Sequence, residues 1–163
     1  MKKLNFGCGA DIREGWDNVD IQKSERLTKS FDFDKFPYPI KDSTYDYIYL
    51  TNVLEHLSEP DKVINELWRI SKSEGIIEII VPHYTNKGAY SDMQHKHFFN
   101  EICFKLLEEQ LTVINKENKF KIVELKLTPT SVGKFFPRRI REKLSLFING
   151  LISQIHIKIK VIK

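Results

Sequence analysis

Along the 163-residue chain, apolar positions switch between strand-like and helix-like spacing, and the switches outline its elements. Lys2–Phe6 and Asn18–Ile21 are short runs of strand length, and Thr28–Phe33 is a third candidate ending near Asp32. A turn at Asp42–Thr44 leads into the aromatic and apolar run Tyr45–Leu50, a fourth strand. In "SEPDKVINELWRISKSEG", Val63, Ile64, Leu67, Trp68 and Ile70 fall near one face of a helix. Ser58, with Asp61 three positions on, is its expected N-cap; Pro60 suits the first turn and Gly75 is the expected stop. "GIIEIIVP" then reads as a strand buried on both sides and closed by Pro82.

"HYTNKGAYSDMQHKHFF" has no such periodicity; a loop of roughly fifteen residues is long for a compact domain, which marks it as functional. Asn100 is expected to cap a helix running to about Leu111, "NKENK" to turn, and "FKIVELKL" to alternate as a strand. "PRRIREKLSLFINGLI" reads as an amphipathic helix with Ile140, Leu144, Phe147 and Leu151 on one side. The last strand, "QIHIKIKVIK", puts Lys158 and Lys160 on one face and Ile157, Ile159 and Val161 on the other. Strands separated by helical or loop crossovers predict an α/β fold around a mostly parallel sheet, and the two late alternating strands predict an antiparallel edge. No repeat, low-complexity segment or linker divides the chain, so residues 1–163 read as one domain.

Composition narrows the class. With 41% hydrophobic and 29% charged residues the chain is globular, and no segment approaches a membrane span. The N-terminus lacks an apolar run of signal-peptide length, and Cys8 and Cys103 are too few for a disulfide framework; a reduced, cytoplasmic protein is expected. The net charge of +4 conceals an asymmetry. Residues 1–115 hold 14 Lys/Arg against 19 Asp/Glu, whereas residues 116–163 hold 12 against only Glu117, Glu124 and Glu142. This basic part is either a solvated outer surface or the face for an anionic substrate or membrane surface.

The chemistry begins in "LNFGCGADIREGWDNVDI". In a doubly wound sheet, ligands lie beyond the carboxyl ends of the strands, where a glycine turn lets the backbone approach. Gly7 and Gly9 fit that turn, and Asp20 ends the second strand, where an acid accepts hydrogen bonds from a ribose diol. A dinucleotide fingerprint needs a third glycine opening a helix, with the acid about 20 residues on. Here Gly7 and Asp20 are only 13 positions apart, and the six residues Ala10–Gly15 are too few for a crossover helix. A pyrophosphate gains most from a helix N-terminus, so this spacing disfavours a nicotinamide cofactor and an oxidoreductase. S-adenosyl-L-methionine has no phosphate and tolerates the short loop.

"LNFGCG", "GWDNVDI" and "FPYPIKDSTYDYIYLTNVLEHL", in that order, resemble the small class I S-adenosylmethionine-dependent methyltransferases of the type-11-like group. "VPHYTNKGAYSDMQHKHFF" also resembles a stretch found in many members, while the C-terminal part matches only in its pattern of elements. The resemblance implies a Rossmann-like, doubly wound, mostly parallel seven-stranded sheet with an antiparallel edge strand. It implies that Gly7 and Gly9 line the methionyl part of S-adenosyl-L-methionine, with Cys8 adding backbone there. Asp20 would hold the ribose, Ile21 would lie against the adenine, Asp32 and Phe33 would meet the adenine, and Thr51 and Asn52 would flank the sulfonium. Asn5 stands where many members place an acid, and Asp34 competes with Asp32 for the adenine.

Methyl transfer needs a general base only when the acceptor is protonated, and histidine titrates in the right range. His83, directly after the fifth strand, is the first candidate and His56 the second. Asp92, His95 and His97 are suitable metal ligands by type, but they serve equally to fasten the loop, and no metal is expected. His95, His97, Arg138 and Arg139 are the candidate substrate contacts. The acceptor is expected to be a small molecule, a sugar or a lipid-linked intermediate, with no stable nucleic-acid partner. A non-catalytic cofactor-binding or interaction module on the same fold is the alternative.

Overall fold

A computed structural model describes residues 1–114 and 119–163. Seven strands form one sheet: β1 (Lys3–Phe6), β2 (Asp17–Asp20), β3 (Lys29–Ser30), β4 (Tyr45–Thr51), β5 (Ser71–Pro82), β6 (Lys119–Pro129) and β7 (Ile152–Ile162). Their order is β3-β2-β1-β4-β5-β7-β6. The first five pair in parallel, and β7 runs antiparallel to both β5 and β6, so the two late strands make the antiparallel pair at one edge, as expected. Strand order reverses between β1 and β4, which pair directly; the crevice beyond Phe6 and Thr51 is therefore the topological switch point.

Four helices are present among the described residues: α1 (Pro60–Ile70), α2 (Lys87–Ser91), α3 (Glu101–Ile114) and α4 (Arg138–Leu144). α1 crosses from β4 to β5 and buries Val63, Ile64, Leu67 and Ile70. Its ends differ from the sequence expectation. Glu59 occupies the N-cap, because both the amide and the hydroxyl of Ser58 donate to the Asp34 carboxylate at 2.8 Å. The helix stops at Ser71, whose hydroxyl donates to the Leu67 carbonyl and which already pairs with Tyr45 in the sheet. Gly75 lies inside β5, where pairing slips between Tyr45 and Tyr47; a Cβ there would sit 2.9 Å from the Lys72 carbonyl oxygen, so close backbone approach explains the glycine.

The loop after β5 contains the short α2, capped by the Asn86 side chain accepting from the Gly88 amide. Asn100 caps α3 as expected, its Oδ1 accepting from the Cys103 amide. The expected turn in "NKENK" lies largely outside the described residues. α4 departs most from its pattern: it ends at Leu144, and it turns Arg141 and Ser145 inward while Ile140 and Phe147 face solvent. The Arg141 guanidinium donates to the carbonyls of Gly133 and Phe136, which close a 3₁₀ turn over residues 133–136. Those carbonyls need a donor, and this need outweighs the apolar period of the helix.

α1 and α3 pack on one face of the sheet, against Ile48, Leu50, Ile77, Ile79, Ile157 and Ile159. The connections leading to β2, β3 and β4 contain no helix. Phe31, Phe33, Phe36 and Tyr38 fill that end of the core instead, with Phe33 stacked on Phe6 at 4.0 Å. On the other face, alternate positions such as Tyr47, Tyr49, Ile80 and His156 are half-buried. Polar contacts knit this face: the Arg13 guanidinium lies 3.7 Å from the Tyr49 ring centre, and His156 pairs with Glu78. No helix among the described residues is long and apolar enough to cross a membrane.

Candidate functional site

The glycine turn after β1 is built by backbone geometry. Gly7 and Gly9 have φ of 67° and 50°, and a Cβ on Gly7 would lie 2.4 Å from a Val53 methyl. The amides of Gly7 and Cys8 both donate to the Val19 carbonyl, folding the turn onto the end of β2. Two buried asparagines then shape the short loop. Asn5 donates to the Asp11 carbonyl and the Asn18 side chain; Asn18 accepts from the Arg13 amide and donates to the carbonyls of Arg13 and Trp16. Asn5 is thus committed to the loop. A carboxylate there, lacking amide hydrogens, would lose both donations.

This turn forms the rim of a cavity of about 680 Å³ at the switch point. Gly7, Gly9, Asp20, Ile21, Asp32, Phe33 and Asn52 line it, so the fold brings together seven of the nine residues expected to contact a cofactor. The Asp20 carboxylate accepts from the amides of Gly9 (2.7 Å) and Gln22 (3.1 Å), which fixes its orientation and leaves lone pairs toward the cavity. Cys8 is buried beneath the turn; burial, with the Asp20 charge behind it, raises its thiol pKa and keeps the sulfur unreactive. Thr51 is half-buried at the end of β4 and does not line the cavity.

The two competing acids separate by their partners. Burial acts against the charge on Asp34, but hydrogen bonds from Ser58 and the nearby Lys96 ammonium outweigh it and hold the carboxyl below its ordinary pKa. Asp34 therefore ties three segments together. Asp32 accepts from the Asp34 amide and keeps an oxygen 3.6 Å from Lys35, at the cavity wall.

A second cleft, of about 720 Å³, adjoins the first and shares Asn52, His56, Met93 and Gln94 with it. Asn52 has φ of 51°, a left-handed backbone that asparagine tolerates better than most residues, at the junction of the two spaces. Beyond it, a 3₁₀ turn over Leu54–His56 presents Glu55 and His56 to the loop that follows β5. The His56 and His95 rings meet edge to face at 4.6 Å. Glu55 is only 1% exposed, and neither carboxylate oxygen accepts a hydrogen bond. Burial pushes its carboxyl up to about 7; its own backbone amide and His95 oppose the rise, and Asp92 adds to it.

His83 lies elsewhere. Its side chain is buried, with Nδ1 at 2.8 Å from the Thr85 hydroxyl and Nε2 at 3.6 Å from Glu101. Burial lowers its pKa, and Glu101 opposes that shift without cancelling it. It lines a third cleft with Glu101, Arg138 and Glu142, which shares no residue with the cavity at the switch point. The first expectation for a base is therefore not brought to the candidate cofactor site, whereas His56 is. Arg138 is ion-paired with Glu142, and Arg139 is exposed on α4. His97 contacts the Ser58 carbonyl, His95 the Ala89 carbonyl, and Asp92 accepts from the Gln94 amide, so these three fasten the loop separately. Sequence reasoning passed over Glu55, although it stands beside His56 in the quoted motif, and it passed over Asn18; a buried acid and a buried amide carry no periodic signal.

Residues 4–125 match the methyltransferase domain family. The chain belongs to the methyltransferase domain family. The methyltransferase domain is 29% identical over 132 residues to an uncharacterized protein of Methanocaldococcus jannaschii, across 74% of this chain and 55% of that protein. The chain thus spans about half the length of the curated relative it matches. Its fold is also that of a methyltransferase from Archaeoglobus fulgidus, with 19% identity and a TM-score of 0.65 over 98% of this chain and 86% of that one. Phosphoethanolamine N-methyltransferase 2 of Haemonchus contortus, solved with S-adenosyl-L-methionine, gives 14% identity and a TM-score of 0.65 over 100% and 50%.

Proposed function

We propose that the protein binds S-adenosyl-L-methionine in the switch-point cavity and transfers its methyl group to a small-molecule acceptor. One observation carries this reading: the glycine turn leads into a loop clamped by Asn5 and Asn18, with no helix N-terminus behind it to meet a pyrophosphate. In the proposed pose, Gly7, Cys8 and Gly9 pass the methionyl part, and Asp20 accepts from the ribose hydroxyls. Ile21 and Phe33 sandwich the adenine, Asp32 takes its amino group, and Asn52 frames the sulfonium, with Thr51 behind it at the end of β4.

The acceptor's lone pair attacks the methyl carbon as the carbon–sulfur bond breaks. The bonding pair stays on sulfur, giving S-adenosylhomocysteine, and an acceptor proton leaves to a base or to water. Holding the two reactants in line is the protein's main contribution, worth roughly 7–11 kcal/mol where the geometry is near-attack. His56, at the junction of cavity and cleft, faces the acceptor in this reading, and His95 lines the acceptor cleft.

A lipid-linked or otherwise anionic acceptor is favoured by the surface around α4. Phe135, Leu146 and Phe147 are 86, 70 and 87% exposed, beside Lys134, Arg138, Arg139 and Lys143, an apolar and basic combination suited to an anionic bilayer surface. The unpaired Cys8 and Cys103 fit a reduced, cytoplasmic setting, and one continuous sheet from Lys3 to Ile162 fits a single domain.

Calorimetric titration with S-adenosylhomocysteine, with NADH in parallel, tests the cofactor. Saturable binding of the first and none of the second is expected; the reverse result would overturn the reading. Cofactor binding without methyl transfer to any acceptor in a broad screen would favour the non-catalytic module.

A further inference from the structure

Glu55 presents a physical problem. It is the most deeply buried acid among the described residues, at 1% exposure, and both of its oxygens lack a hydrogen bond. A buried carboxylate without a partner is costly: such a group takes up a proton, or an ion or water completes it. Glu55 lies at the wall of the cleft of about 720 Å³, together with His56 and His95.

We propose that Glu55, His56 and His95 form a binding site for a divalent transition-metal ion of the zinc class, in the cleft beside the cofactor cavity. One ligand atom from each lies within 4.8 Å of the others. Bonds of about 2.0–2.2 Å to nitrogen and oxygen require these atoms to draw in by about an ångström, within reach of side-chain rotation. Two imidazoles and a carboxylate suit zinc, iron or nickel better than magnesium or calcium.

The surroundings are those of a ligand set already oriented. The Glu55 carbonyl accepts from the amides of Lys96 (2.8 Å) and His97 (3.2 Å), which pins the loop so that His95 faces Glu55 and His56. The His95 Nδ1 lies 2.7 Å from the Ala89 carbonyl oxygen. A carbonyl only accepts, so Nδ1 carries the proton and Nε2 offers its lone pair to an ion, the arrangement usual for metal-bound histidine. Among the described residues, none hydrogen-bonds to the His56 ring, which meets the His95 ring edge to face.

Three protein ligands leave coordination positions open to the cleft. An acceptor oxygen bound there is held next to Asn52, at the junction with the cofactor cavity; this consequence rests on the methyl-transfer reading, whereas the ion site does not. The acceptor class that fits is one presenting a hydroxyl or carboxylate oxygen.

Chelator-treated, untagged protein titrated with Zn²⁺ against a chromophoric chelator, and separately with Co²⁺ followed by visible absorption, tests the site. One Zn²⁺ per chain and Co²⁺ bands of a nitrogen–oxygen environment are expected. Glu55→Gln and His95→Ala should each weaken Zn²⁺ binding by roughly tenfold or more, and His97→Gln should leave it unchanged. His95→Ala, in the loop, keeps the test open if Glu55→Gln fails to fold. Absence of saturable Zn²⁺ binding, or an affinity that neither variant changes, would overturn the proposal. S-adenosylhomocysteine binding to the same metal-free protein reports on the cofactor reading separately.

Discussion

Two clefts flank the loop that leaves β5, and they treat their polar groups in opposite ways. In the cleft of His83, the imidazole and the nearby guanidinium both have partners: Thr85 and Glu101 for His83, Glu142 for Arg138. In the cleft of Glu55, the most buried acid has none, while His56 and His95 keep free nitrogen lone pairs. Satisfied polar groups hold a fold together; an unsatisfied one marks a place where a ligand belongs. The sequence position of His83, directly after a strand at the carboxyl edge, made it the first candidate for a base; the fold places it in a different cleft from the switch-point cavity, which His56 lines.

The sharpest way to break this contrast is His83→Ala. Removing a buried ring that holds Thr85 should cost about 2–4 kcal/mol in denaturant unfolding and leave S-adenosylhomocysteine affinity unchanged. The same side chain predicts a pH effect. Its pKa is lowered by burial, so its stabilising contribution is complete above the unfolded value of about 6.5 and is lost as pH falls below it. His83→Gln should flatten that acid-side decline in melting temperature.

Asp20→Ala should weaken S-adenosylhomocysteine binding by about 1.5–3 kcal/mol, or roughly ten- to a hundredfold, as charge-assisted bonds to the ribose are lost. Unchanged affinity in calorimetry would remove the ribose assignment. Glu55→Gln is expected to leave the metal-free protein as stable as the wild type or more so, because an amide is buried at lower cost than a carboxylate. A loss above about 2 kcal/mol would show that Glu55 is structural and that the two clefts do not differ. Smallest is Phe147→Ser, on a side chain 87% exposed: unfolding should shift by less than about 0.5 kcal/mol, while co-sedimentation with anionic vesicles should fall.

Much of the N-terminal half was legible because its chemistry and its local structure share residues. Gly7, Gly9 and Asp20 announce a turn and an acid at fixed spacing, and the strands that lead to them are short. What sequence could not supply there was the means of holding the loop, since Asn5 and Asn18 meet across 13 positions and neither carries a periodic signal. The C-terminal half was legible as strands but not as a helix. An apolar stripe through Ile140, Leu144, Phe147 and Leu151 predicts burial by period, yet the Gly133 and Phe136 carbonyls draw Arg141 inward and leave Ile140 and Phe147 exposed, while Leu144 is half-buried and Leu151 buried. Gly75 was misread for a related reason: helix stops and bulges both favour glycine, and only the register of β5 against β4 tells them apart.

The central claim is that the space between β1 and β4 holds S-adenosyl-L-methionine. A crystal structure of the protein with S-adenosylhomocysteine tests it most directly. The account predicts the ribose within hydrogen-bonding distance of Asp20, the adenine beside Asp32 and Phe33, and the sulfur near Asn52. Ligand bound anywhere outside that cavity, or ribose hydroxyls with no contact to Asp20, would contradict it.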